Sequence, residues 1–218
     1  MKTCIKFSLL LLILVMGWSC KQKVESKTEV NELPVEEVQE IDGNRTNKLP
    51  SFQKTLSLQG ITFQIKTEGE GSIRKLTIAP EGLSMDASKV EMETDGAVMN
   101  AEIEDLNSDG YPEILIYTTS AGSGSYGNVI AYSVNGGKSI SQISFPEIEP
   151  DSEAAKGYMG HDEFAIAETT LLRRFPIYEE GDSNASPTGN IRQIQYKLVD
   201  GEASRKFVVD QVILIPKN

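Results

Sequence analysis

Beyond residue 51 the chain alternates hydrophobic and polar positions with a period of two, the spacing of strands that bury one face. Ile61-Thr62-Phe63-Gln64-Ile65 and Leu76-Thr77-Ile78 show this most plainly, and Val90-Glu91-Met92 continues it. Further runs of β-forming residues cover Val98 to Ile103, Glu113 to Thr119, Val129 to Ser133, Ile140 to Phe145, Phe164 to Ala167, Leu171 to Phe175, Ile191 to Leu198 and Phe207 to Ile215. Between them stand residues that accept a positive φ, as at Asp95-Gly96, Asn135-Gly136-Gly137 and Asp200-Gly201. With neighbouring runs merging, the pattern predicts an all-β fold, an antiparallel β-sandwich of about eight or nine strands. Helix is expected only as one short element over Ser152 to Lys156, after Pro150. No repeat of solenoid or propeller length recurs.

The first fifty residues follow a different pattern. Lys2 and Lys6 precede an unbroken apolar run from Phe7 to Met16, which has the length of a secretory signal and is too short to span a bilayer. Gly17-Trp18-Ser19-Cys20, followed by the polar Lys21-Gln22-Lys23, resembles a bacterial lipobox. The resemblance implies a signal peptide over 1–19 and a lipid on Cys20 that holds the protein to a membrane, with no transmembrane helix. Residues 20–50 mix both charges with almost no aromatic side chains and read as a flexible tether. The folded domain is expected over 51–218. Cys4 lies within the signal, so no disulfide is available to that domain.

Losing Lys2 and Lys6 with the signal would take the formal net charge from −11 to −13. Nucleic acid is therefore excluded as a partner, and a cationic protein is favoured, because opposite charge speeds encounter. The same acidity would also serve solubility alone.

Two stretches could carry chemistry. Asp105, Asn107 and Asp109 alternate along a loop, with Gly110 for a sharp bend and Glu113 beyond. Such oxygens can converge on calcium, and the same spacing also makes an Asx-rich turn that caps itself. Ser120-Ala121-Gly122-Ser123-Gly124-Ser125-Tyr126-Gly127 lies between two apolar strands. Its small residues suit either a narrow projection into a cleft or a plain hairpin loop. A serine hydrolase is disfavoured: Ser123 to Gly127 only approximates a nucleophile elbow, and a strand follows where a helix is needed. The lone histidine, His161, reads as part of an exposed turn and cannot build a zinc site.

From about Ala101 to Val212 the chain resembles the periplasmic lysozyme inhibitor family that acts on invertebrate-type (i-type) lysozymes. The residues that carry it are Asp105 to Ile114, Ser120 to Tyr132, Gly157 to Phe164, Arg174 to Tyr178 and Gln193 to Leu198, five blocks in one order. The resemblance implies a non-enzymatic protein that projects a loop into the lysozyme's substrate cleft. It carries the family's inhibitory pair onto Ser123 and Tyr126 with Gly124 between them, their hydroxyls meeting the target's catalytic carboxylates. It also implies that a homodimer is common. The Tyr158 to Phe164 block and Arg173-Arg174 are assigned to folding, packing or a satellite contact, not to inhibition. A lipobox and tether depart from a soluble periplasmic inhibitor and place this protein in the bacterial envelope, on the outer membrane. The competing readings are a calcium-dependent β-sheet adhesion or scaffold lipoprotein, resting on Asp105 to Glu113, and an envelope glycan hydrolase using a carboxylate pair.

Overall fold

The computed structural model describes residues 52–217. The signal, Cys20 and the tether lie outside the described residues. Twelve strands form three four-stranded antiparallel sheets, each running in chain order from edge to edge or the reverse. The first holds β1 (Gln53–Leu58), β2 (Ile61–Glu68), β3 (Ile73–Glu81) and β4 (Val90–Asp95). The second holds β5 (Ala97–Glu104), β6 (Glu113–Thr119), β7 (Gly127–Asn135) and β8 (Ser139–Ile143). The third holds β9 (Glu163–Ala167), β10 (Thr170–Pro176), β11 (Ile191–Val199) and β12 (Lys206–Ile215). Among the described residues helix is limited to a 3-10 turn at Glu153–Ala155, where the sequence places its short element.

The all-β, antiparallel expectation holds, and every expected run meets a strand, although the run Ile140 to Phe145 outlasts β8, which ends at Ile143. The difference is in layers. Ile114 and Ile116 of β6 pack with Phe63, Ile65, Leu76 and Ile78 of the first sheet. Leu115 and Tyr117, one position along, pack with Leu171, Phe175, Ile194 and Tyr196 of the third. The second sheet is thus covered on both faces, and six consecutive residues, Glu113 to Thr118, are buried. That is why Ile114-Leu115-Ile116-Tyr117 reads as a continuous apolar run while β2 alternates strictly: only the strand with two covered faces needs no polar side. Each fully buried Ile or Leu here contributes about 1.5–3 kcal/mol.

Strand β1 is the one element the pattern did not signal. It is joined to β2 by Gln59-Gly60, whose φ angles of 51° and 81° match a two-residue hairpin turn of the primed kind. Among the described residues no helix is long and apolar enough to cross a membrane.

Candidate functional site

The Ser120–Tyr126 segment is the connection of the β6–β7 hairpin, whose last cross-strand pair is Thr119 with Gly127. Ser120 closes its neck twice. Its backbone N–H donates to the Tyr126 carbonyl (2.8 Å), and its Oγ accepts from the Tyr126 N–H (3.0 Å). At the tip the Ser125 N–H donates to the Gly122 carbonyl (3.1 Å), a tight turn that leaves Ser125 at φ 46°. A serine in the left-handed region is held there only by its surroundings. Ser123 is exposed and Tyr126 is 49% exposed, so the two sequence-predicted side chains face solvent from one loop.

The loop is pinned from outside the hairpin. Asn184 Nδ2 donates to the Ser123 carbonyl (2.5 Å), and the His161 N–H reaches the carbonyls of Gly124 (2.9 Å) and Ser125 (3.2 Å). At the root, the Gly127 N–H donates to Asp162 Oδ2 (2.7 Å). The backbone at 160–161 comes so close that a Cβ on Gly160, which sits at φ +92°, would lie 1.9 Å from the Gly124 carbonyl oxygen. Gly160→Ala is therefore expected to lower the melting temperature and to weaken whatever the loop binds. A melt matching that of the unaltered protein would show that the loop gives way freely.

Behind these contacts is a buried ion pair. Asp162 Oδ1 accepts from Arg173 Nε at 2.6 Å, the two side chains being 0% and 5% exposed. The Tyr158 hydroxyl donates to Asp162 Oδ2 (2.7 Å) and accepts from Arg173 Nη2 (2.7 Å). Burial, then donation to Asp162, pushes the Tyr158 hydroxyl pKa far up, so it remains a donor at any physiological pH. The Arg173 guanidinium lies 5.1 Å from the Tyr158 ring centre and 5.6 Å from that of Phe164, within cation–π range. Tyr158 in turn meets the Tyr126 ring edge to face at 5.7 Å. The chain of contacts thus runs from the buried charge to the exposed hydroxyl. Arg174, by contrast, is exposed and bonds Gln193 (2.6 Å).

Sequence reasoning found the loop and missed its supports. His161 is not on a merely exposed turn: it is half-buried, at φ 58°, and its Nε2 lies 3.4 Å from Asn184 Oδ1. The Asp162 side chain is wholly buried, and Asn184 gave no sign beyond its place in the Gly181-Asp182-Ser183-Asn184 turn. The available clue was the Gly157 to Phe164 block.

The Asp105–Glu113 loop spends its oxygens on itself. Asp105 accepts from the N–H groups of Asp109 (3.0 Å) and Gly110 (2.9 Å), and Asp109 accepts from that of Tyr111 (2.9 Å). Asn107 Oδ1 takes the Asp109 N–H as well, at 3.1 Å. Glu113 points inward to the Ser133 hydroxyl (2.7 Å) and the Leu106 N–H (2.9 Å). Arg205 bridges Asp109 (2.6 Å) and Glu113 (3.2 Å). Among the described residues no group of three or more His, Cys, Asp or Glu is placed to hold a metal. A calcium ion on these donors would compete with a guanidinium already lying among them.

Burial raises the Glu113 pKa, against the lowering pull of Ser133, Leu106 and Arg205. The folded state then holds this proton more tightly than the unfolded chain. The stability it contributes is full below the ordinary glutamate value and is lost as pH rises to the raised one. Glu113→Gln should flatten that fall, read as the denaturant midpoint as pH rises from the ordinary glutamate value. An unchanged pH profile would assign the slope to other groups.

No curated protein and no solved structure matches the chain. Two of the five blocks that suggested a family, Asp105 to Ile114 and Ser120 to Tyr132, fall inside a family match that ends within the third. Residues 84–159, from the β3–β4 connection through the hairpin loop to the residue after Tyr158, match the model of the family described as periplasmic lysozyme inhibitor of I-type lysozyme, a family of inhibitors and not of enzymes.

Proposed function

We propose that this protein inhibits an i-type lysozyme by placing the Ser120–Tyr126 loop in the enzyme's substrate cleft, with the hydroxyls of Ser123 and Tyr126 paired to its catalytic carboxylates. The observation that carries this reading is a loop whose side chains face outward while its backbone is tied at Ser123, Gly124, Ser125 and Gly127. A loop already ordered before contact loses little conformational freedom on binding. A carboxylic acid in a desolvated cleft wants a hydrogen-bond partner, and a hydroxyl held in place supplies one while excluding the saccharide. A net charge of −11 draws this protein toward a cationic enzyme.

The protein acts from the bacterial envelope, held by a lipid on Cys20 at the outer membrane, with residues 20–50 as its leash. Cys20→Ala is expected to move it from the membrane fraction to the soluble periplasmic fraction, and retention in the membrane would remove the anchor. The function is tested by mixing the protein with invertebrate-type, chicken-type and goose-type lysozymes at micromolar concentration and following lysis of a peptidoglycan substrate. The invertebrate-type enzyme should be slowed most. If none is slowed, the reading fails.

A further inference from the structure

Beside the groups that tie down the loop opens a cavity of about 700 Å³. Phe175 (1% exposed) and Tyr178 (7%) form its floor, with Ile191 and Ile215 at the sides. Its outer wall is the 179–188 turn, which is internally bonded. Asp182 accepts from the N–H groups of Glu179 and Thr188 and from the Thr188 hydroxyl, each at 2.8 Å. The Tyr178 hydroxyl donates to the Asn184 carbonyl, also at 2.8 Å. The cavity is therefore built before any ligand arrives, and its volume falls in the range of small-molecule sites, far above what one inserted side chain would fill.

The mouth departs from the charge of the rest of the molecule. Arg174 and Lys217 stand there with one acid, Glu163, in a protein of net charge −11. Gln193 holds Arg174 Nε at 2.6 Å, and the Lys217 ammonium donates to the Pro187 carbonyl, so both cations are held beside the cavity. An apolar chamber with fixed cations at its opening selects a ligand with the matching division.

We propose that this cavity binds a small amphipathic anion, with an aromatic or branched hydrocarbon body on the Phe175–Tyr178 floor and a carboxylate or sulfonate at Arg174 and Lys217. The site also communicates with the loop. His161 and Asn184 line the cavity and are the residues that hold Ser123, Gly124 and Ser125. A ligand there shares walls with the inhibitory face, and any effect on lysozyme binding must be reciprocal. That coupling rests on the inhibitor reading; the binding itself does not.

The test is fluorescence titration of the full chain with the anionic probe 8-anilinonaphthalene-1-sulfonate and its neutral relative N-phenyl-1-naphthylamine. A single saturable site is expected for both. Ala185→Trp, at an exposed residue of the 179–188 turn that lines the cavity, puts an indole into part of the chamber and should weaken both probes by about tenfold or more. Arg174→Gln should weaken the anion by about fivefold and leave the neutral probe unchanged. Leu214→Lys changes a side chain that is 54% exposed on β12 and outside the cavity, and should alter neither. The proposal is overturned by non-saturable binding, by Ala185→Trp binding as the unaltered protein does, by loss on Leu214→Lys, or by equal loss of both probes on Arg174→Gln. No lysozyme enters this measurement, so its outcome and that of the inhibition assay are independent.

Discussion

Ser123→Ala combined with Tyr126→Phe is expected to weaken inhibition by about 100- to 1000-fold while leaving the melting temperature within about 2 °C of the unaltered protein. Each change removes one hydroxyl and little else. In a cleft closed to water, each lost partner leaves a carboxyl group unpaired, at a cost of about 1–3 kcal/mol. Phenylalanine is the right replacement at 126, because the ring packs edge to face on Tyr158 and its removal would confuse support with contact. Both side chains are largely exposed, which is why folding should not register the loss. Inhibition undiminished in this pair would move the binding surface elsewhere on the domain.

Arg173→Met is expected to destabilise the fold by about 3–5 kcal/mol. Removing the guanidinium leaves Asp162, fully buried, with only the Tyr158 hydroxyl and the Gly127 N–H as partners. An uncompensated charge in that setting costs more than the ion pair contributed. Adding Asp162→Asn should recover part of the loss, since it removes the stranded charge while keeping the shape. Chemical denaturation reads both results through the midpoint at constant slope. If the single variant unfolds with the same midpoint as the unaltered protein, Asp162 is not desolvated as its burial requires. Inhibition should also fall, because Asp162 is the fixed point for the root of the loop.

How much of this was legible in the sequence depends on what each residue's neighbours are. Strand positions were readable because β-branched and aromatic runs with glycine punctuation are local signals, and each meets a strand. The third layer was not deduced, although Ile114-Leu115-Ile116-Tyr117 carries its mark: a run with no polar side needs two covers. Strand β1 escaped because Gln53-Lys54-Thr55-Leu56-Ser57-Leu58 has few β-formers and gains its place from pairing with β2. The loop at 120–126 was visible by composition, whereas its supports were not. Arg173 lies between Leu171 and Phe175 on an inward face, in keeping with its assignment to packing, but the acid it pairs with was not legible. Only its pairing with Asp162, eleven residues away, makes it a core residue. The calcium spacing at 105–113 was equally visible, but sequence could not show that Arg205, 96 residues from Asp109, reaches into it.

The hairpin that carries Ser123 belongs to the middle layer, and the donors and acceptors that steady it belong to chain 35 to 61 residues further on. Loop and clamp are therefore separate parts, translated in that order. A chain in which β9–β12 have yet to dock carries Ser123 and Tyr126 on a loop that lacks those ties. Under the proposed function, potency is a property of completed assembly, which a peptide copied from the hairpin alone would not inherit.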